Sequence, residues 1–158
     1  MNALYIWVLA AMLMLQPNAP WKNTYENTAL VIGRQATNHP LFTGEDAAKK
    51  TAALLVSLAW FESRFDPKAI GDHGKAFGLY QQQGKGKIED AETATKIAIE
   101  QIKFSFKVCR ENEVIERLGW YAAGGPNCDY GLRESRHRML KAFWLVKNVK
   151  VAGEKNGT

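Results

Sequence analysis

The chain has 158 residues, of which 46% are hydrophobic and 23% charged, a globular balance rather than a disordered one. One ordinary domain fits that length and buries enough surface to fold without a metal or disulfide scaffold. Two cysteines exclude a thiolate zinc cluster, and the formal charge of +5 fits either an anionic partner (nucleic acid, anionic lipid or an acidic wall polymer) or a soluble protein that is simply basic.

Three stretches are expected: an apolar segment over residues 1–20, one domain over 21–150, and a flexible tail over 151–158. Ala3 to Leu15 is uncharged and apolar on every side. At ~1.5 Å per residue it is too short to span a ~30 Å hydrocarbon core, and it suits the apolar region of a secretory signal. No Lys or Arg precedes it, and Gln16-Pro17-Asn18-Ala19-Pro20 is a poor cleavage site. An uncleaved anchor, which would associate the protein with a membrane or a virion, and a helix buried against the domain stay open beside the signal. Signal or anchor is preferred.

Beyond Pro20 a helix is expected from Asn23 to Thr37, ended by Asn38-His39-Pro40. Thr43-Gly44-Glu45-Asp46 reads as the start of another, with a capping hydroxyl and early acids. That helix runs to Arg64 and stops at Asp66-Pro67. From Ile70 to Gln83, glycines at 71, 74 and 78 replace any helical stripe, and short strands around the Gly71-Asp72-His73-Gly74 turn are expected. Helical spacing returns from Ile88 to Val108 and from Glu113 to Ala123. After Gly124-Gly125-Pro126-Asn127 it returns once more, from Leu132 to Val149, with Leu132, Met139, Phe143 and Val146 as the apolar stripe. The fold class is mainly α, with one small β-hairpin region.

Thr51, Leu55, Leu58 and Glu62 fall at helical spacings of four, three and four, so the carboxylate continues a core-facing stripe. Trp60, Phe61 and Phe65 crowd the same end. Apolar walls disfavour a charged carboxyl, which would keep Glu62 protonated and able to donate to a leaving oxygen. Pairing with Arg64 or another cation is the plainer alternative.

The run Trp60-Phe61-Glu62-Ser63-Arg64-Phe65-Asp66-Pro67 is followed by Gly78-Leu79-Tyr80-Gln81 and then by Trp120-Tyr121-Ala122-Ala123-Gly124. In order and separation these three segments resemble the lytic transglycosylases of the soluble-lytic type, members of the lysozyme-like superfamily. The resemblance spans Ala47 to Val146. It implies a lysozyme-like domain that cleaves the bond between N-acetylmuramic acid and N-acetylglucosamine in peptidoglycan and leaves 1,6-anhydro ends. No cofactor, metal or nucleic acid is implied. The setting would be the cell envelope, the periplasm, the exterior or a virion, and the protein would be a monomer in isolation. Glu62 takes the place of the catalytic acid/base and Ser63 of the serine beside it. Gly78, Leu79, Tyr80 and Gln81 match the hairpin lining the saccharide groove, with Gly78 admitting a close approach to the sugar, Tyr80 (where methionine is usual) stacking on it, and Gln81 hydrogen-bonding to it. Tyr121 is expected to point its hydroxyl at Glu62, and Ala122 stands where the family has asparagine.

A hydrolase would need a second carboxylate. Asp72 in the turn is the candidate, while Asp66 reads as a turn residue. A non-catalytic glycan-binding part of an envelope or virion assembly is a further alternative, and a basic nucleic-acid-binding module a more distant one. Cys109 and Cys128 could pair if the chain is exported, or remain thiols if it is not. The three histidines lack metal-ligand spacing, Gly84-Lys85-Gly86-Lys87 reads as a surface loop, and the cations near the C-terminus as a solvated helix face.

Overall fold

A computed structural model describes residues 3–152; the last six residues of the expected tail lie outside them. Six α-helices and a small sheet are found there: α1 (Ala3–Leu15), α2 (Tyr25–Asn38), α3 (Ala47–Ser63), β1 (Ile70–Gly71), β2 (Ala76–Phe77), β3 (Gln82–Gln83), α4 (Ala91–Val108), α5 (Gly119–Ala123) and α6 (Leu132–Asn148). The fold is therefore mainly helical, with a three-stranded antiparallel sheet in the order β1-β2-β3. Ile70 pairs with Phe77, and Phe77 with Gln82.

Helix α3 is the centre of the molecule. Its residues from Thr51 to Ala59 are buried on every side, because α1, α2 and α6 all pack against it. A helix apolar all round needs such a place. The apolar N-terminal segment is itself a core helix: Trp7, Val8, Ala11 and Met12 of α1 are enclosed, and the Trp7 indole donates to the Val149 carbonyl at 3.2 Å. No helix among the described residues is long and apolar enough to cross a membrane.

Several local expectations change. Thr43 does not cap α3; Asp46 precedes the helix in the left-handed region (φ 59°) with no side-chain cap. Helix α4 begins three residues later than expected because Asp90 accepts from the Thr93 amide at 2.7 Å and fixes the start there. The helix expected over Glu113–Ala123 is divided into a 3-10 turn, Val114–Glu116, and α5. Buried serines are the reason. Ser135 Oγ donates to the Ile115 carbonyl and Ser105 Oγ to that of Arg117, occupying acceptors that a continuous helix would use itself. The buried stripe of α6 is Ser135, Met139, Ala142 and Leu145, so Leu132, Phe143 and Val146 lie only at its margin.

Candidate active site

A cleft of about 480 Å³ opens where the end of α3, the sheet, α4, α5 and α6 meet. Glu62 enters it from the last turn of α3. Four glutamines supply its neutral polar wall: Gln82 and Gln83 from β3, Gln81 from the turn before it, and Gln101 from α4. Trp120, Tyr121 and Ala122 face them from α5, and Arg138 comes from α6. Glu62 is the single carboxylate among the described lining residues, and Arg138 the single cation.

The two form an ion pair, with Arg138 Nη2 donating to Glu62 Oε1 at 2.7 Å and side-chain exposures of 14% and 22%. This corrects the expected apolar enclosure. Trp60 and Phe61 do not line the cleft, and their rings carry cations instead: Arg64 lies 4.1 Å from the Trp60 centroid and Arg138 5.5 Å from that of Phe61. Phe65 is fully buried with its ring against Tyr25. The pairing with a cation thus occurs, but through Arg138 rather than Arg64. Oε2 of Glu62 has no hydrogen-bond partner among the described residues.

Ser63 is buried, and its hydroxyl lies 2.8 Å from the Leu79 carbonyl and 3.1 Å from that of Ala59. With one proton to give, it ties the end of α3 to the segment between β2 and β3. Gly78 sits at φ +74°, and a Cβ there would lie 2.4 Å from the Ile88 carbonyl oxygen. The close approach that demands glycine is therefore to backbone, not to a sugar. Leu79 belongs to the core.

Tyr80 is also corrected. It lines the cleft as expected, but it is 2% exposed with its hydroxyl 3.4 Å from Thr95 Oγ1, which leaves too little of the ring open to stack on a sugar. Gln81 lines the cleft, but its amide donates to the carbonyls of Ala69 and Gly78, both at 3.1 Å, so the nitrogen holds the loop rather than a ligand. Tyr121 approaches Glu62 without a hydrogen bond to it: burial first, then the Glu62 charge, pushes its phenol well above the ordinary range. Its backbone amide donates to Ser105 Oγ at 3.1 Å, which fixes α5 against α4.

Asp72 stands outside the cleft lining, exposed, with Oδ2 accepting from Gln83 at 2.9 Å. Asp66 accepts from the Lys68 amide at 2.9 Å and is a turn residue. No group of three or more His, Cys, Asp or Glu side chains able to hold a metal occurs among the described residues. Cys109 and Cys128 form a disulfide that joins the end of α4 to the loop after α5.

Sequence reasoning missed Arg138, Gln82, Gln101 and Trp120 as lining residues. Gln82 Nε2 donates to the Ala94 carbonyl at 2.8 Å, whereas its buried Oε1 and the buried Nε of Arg138 have no partner. Amides, phenol and indole around one neutralised ion pair suit an uncharged, hydroxyl- and amide-bearing ligand better than a polyanion.

No family model, curated protein or solved structure matches the chain significantly.

Proposed function

We propose that the protein is a peptidoglycan lytic transglycosylase, exported or virion-borne, acting on glycan strands in the cleft that holds Glu62. The observation that carries this reading is the single carboxylate in a cleft walled by four glutamines. Glutamine amides complement the hydroxyl and N-acetyl groups of amino sugars, and the cleft's charge does not favour nucleic acid. The order of the three sequence segments supports the same reading.

The proposed reaction uses Glu62 twice. Arg138 holds Oε1 of the carboxylate, which leaves Oε2 to take up a proton from solvent before the first transfer. Oε2–H protonates the glycosidic oxygen as the bond to muramic acid C1 breaks, and the departing N-acetylglucosamine takes that proton away. The cationic sugar then receives its own C6 oxygen, whose proton passes to Oε2. A 1,6-anhydro ring closes, Glu62 is again protonated, and no water is consumed. Arg138 stabilises the carboxylate between the two transfers, acting as a positioning residue. With Asp72 outside the lining, the described lining residues include no second carboxylate to act as a base for water.

The Glu62–Arg138 pair favours one other reading, a glycan-binding domain in which this pair is structural. Digestion of purified cell walls followed by mass analysis of the muropeptides tests both. Anhydro-muramyl ends are expected. Reducing ends alone would make the protein a hydrolase, and retention on walls without cleavage would make it a binding module.

A further inference from the structure

The outer face of α6 carries more than solvated charge. From Ser135 to Lys150 the chain holds five Lys or Arg and no Asp or Glu. Arg136 is answered by Glu116 and Arg138 by Glu62, whereas Lys141, Lys147 and Lys150 face no carboxylate among the described residues. Opposite the buried stripe, His137, Leu140, Trp144 and Lys147 follow at spacings of three, four and three, and all are exposed. Leu140 is 52% exposed and Trp144 44%. Two large apolar side chains thus stand in water among unanswered cations.

Lys141 joins this patch to the end of α3. Its Nζ lies 4.9 Å from the Trp144 centroid and 5.4 Å from that of Trp60. Arg64, exposed and likewise without a carboxylate among the described residues, covers Trp60. An aromatic face attracts a cation without cancelling its charge, so the strip stays positive. Such a strip suits an anionic bilayer met from the headgroup side. Indoles and aliphatic chains lodge where headgroups meet acyl chains, and the lysines beside them reach lipid phosphates. A soluble polyanion would answer the charges but leave Leu140 in water. We propose that the α6 face built on Leu140, Lys141, Trp144 and Lys147 docks the protein on the surface of an anionic membrane. Attachment through this face is peripheral, because the opposite stripe of the same helix is buried in the protein. Trp60 and Glu62 lie two residues apart on α3, so docking keeps the cleft close to the bilayer. The proposal does not depend on glycan cleavage.

Sedimentation of the full chain with vesicles tests it. Vesicles of phosphatidylcholine with about one-third phosphatidylglycerol are compared with phosphatidylcholine alone. Three unanswered lysines, at about fivefold each, predict about hundredfold tighter binding to the anionic vesicles, mostly lost in about 0.5 M salt. Lys147→Gln with Lys150→Gln changes two exposed side chains and should weaken that binding about 20-fold. Trp144→Ser should weaken it about tenfold and remove most of the quenching of tryptophan fluorescence by brominated acyl chains. Equal binding to both vesicle types, or no quenching by brominated chains in the wild type, overturns the proposal. So does binding of a single-stranded oligonucleotide through the same lysines without any binding of vesicles, which would assign the face to a soluble polyanion.

Discussion

Arg138 on α6 reaches Glu62 on α3 because each lies where its helix packs against the other. Glu62 follows Thr51, Leu55 and Leu58, while Arg138 lies between Ser135 and Ala142 at spacings of three and four. One ionic residue from each of the two packed helices thus meets the other at 2.7 Å where the cleft opens. Arg138→Met leaves a carboxylate without its partner and is expected to cost about 2–4 kcal/mol. Glu62→Gln keeps an acceptor for the guanidinium and is expected to cost about 1 kcal/mol. The double variant should cost less than the sum, read from urea denaturation of all four proteins. Glu62→Gln should also lower wall cleavage by about 10²–10⁴-fold, since it removes the proton donor. A folded Glu62→Gln protein that retains most activity would remove Glu62 from the mechanism.

Gly78→Ala is expected to destabilise the protein by about 2–4 kcal/mol. The left-handed backbone accounts for about 1 kcal/mol of that, and the 2.4 Å approach of the new Cβ to the Ile88 carbonyl for the rest. Backbone on both sides leaves no side chain to swing away. The loop that must shift carries the Leu79 carbonyl held by Ser63, so Ser63→Ala should loosen the same region by about 1–2 kcal/mol. Urea midpoints measure both, and a Gly78→Ala protein as stable as the wild type would contradict the close approach.

The disulfide closes a loop with a sequence separation of 19. A loop of that length is expected to contribute about 3 kcal/mol through the unfolded chain. Cys109→Ala with Cys128→Ala should then lower Tm by about 6–12 °C in a domain of this size. Because the loop contains α5, amide exchange at Trp120–Ala123 should quicken more than in α3. Uniform loss of protection would show that the bond does not act locally.

Alkaline pH should unfold the protein through its tyrosines. Burial raises the phenol of Tyr25 to about 12 and pushes those of Tyr80 and Tyr121 up as well. In the unfolded chain these groups ionise near pH 10. The folded state then holds protons that the unfolded state has released, so stability falls as pH rises. The contribution is complete below pH 10 and is lost for Tyr25 by about pH 12. Urea midpoints between pH 8 and 12 should fall in step with tyrosinate absorbance. Ionisation of all tyrosines in a still-folded protein would refute the burial of Tyr25 and Tyr80.

Much of the scaffold was legible because stripe spacing depends on local chain geometry. The α3 stripe leading to Glu62 could be read directly from Thr51, Leu55 and Leu58. Its partner was readable in principle, since Ser135, Arg138, Ala142, Leu145 and Val149 follow a three-four spacing. The larger side chains of Leu132, Phe143 and Val146 drew the stripe to the wrong side, because size does not report which face meets a neighbour. Tyr80 illustrates a different limit. An aromatic ring two residues after a glycine looks equally suited to a groove or a core, and here packing against the core and Thr95 on α4 leaves it 2% exposed. The break before α5 depended on Ser105 and Ser135, which are distant in sequence and unremarkable in composition.

The indole of Trp7 and the carbonyl of Val149 are neighbours although 142 positions separate them. During translation, α1 leaves the ribosome long before the end of α6 can cover it. Most of its apolar surface is met earlier by α2 and α3, so the residues after α6 add the closing contact rather than the bulk of the cover. The same adjacency means that trimming either end uncovers one shared surface. It also makes the protein a suitable subject for circular permutation, with the ends spliced by a short linker and new termini cut at the exposed Gly84–Lys87 loop.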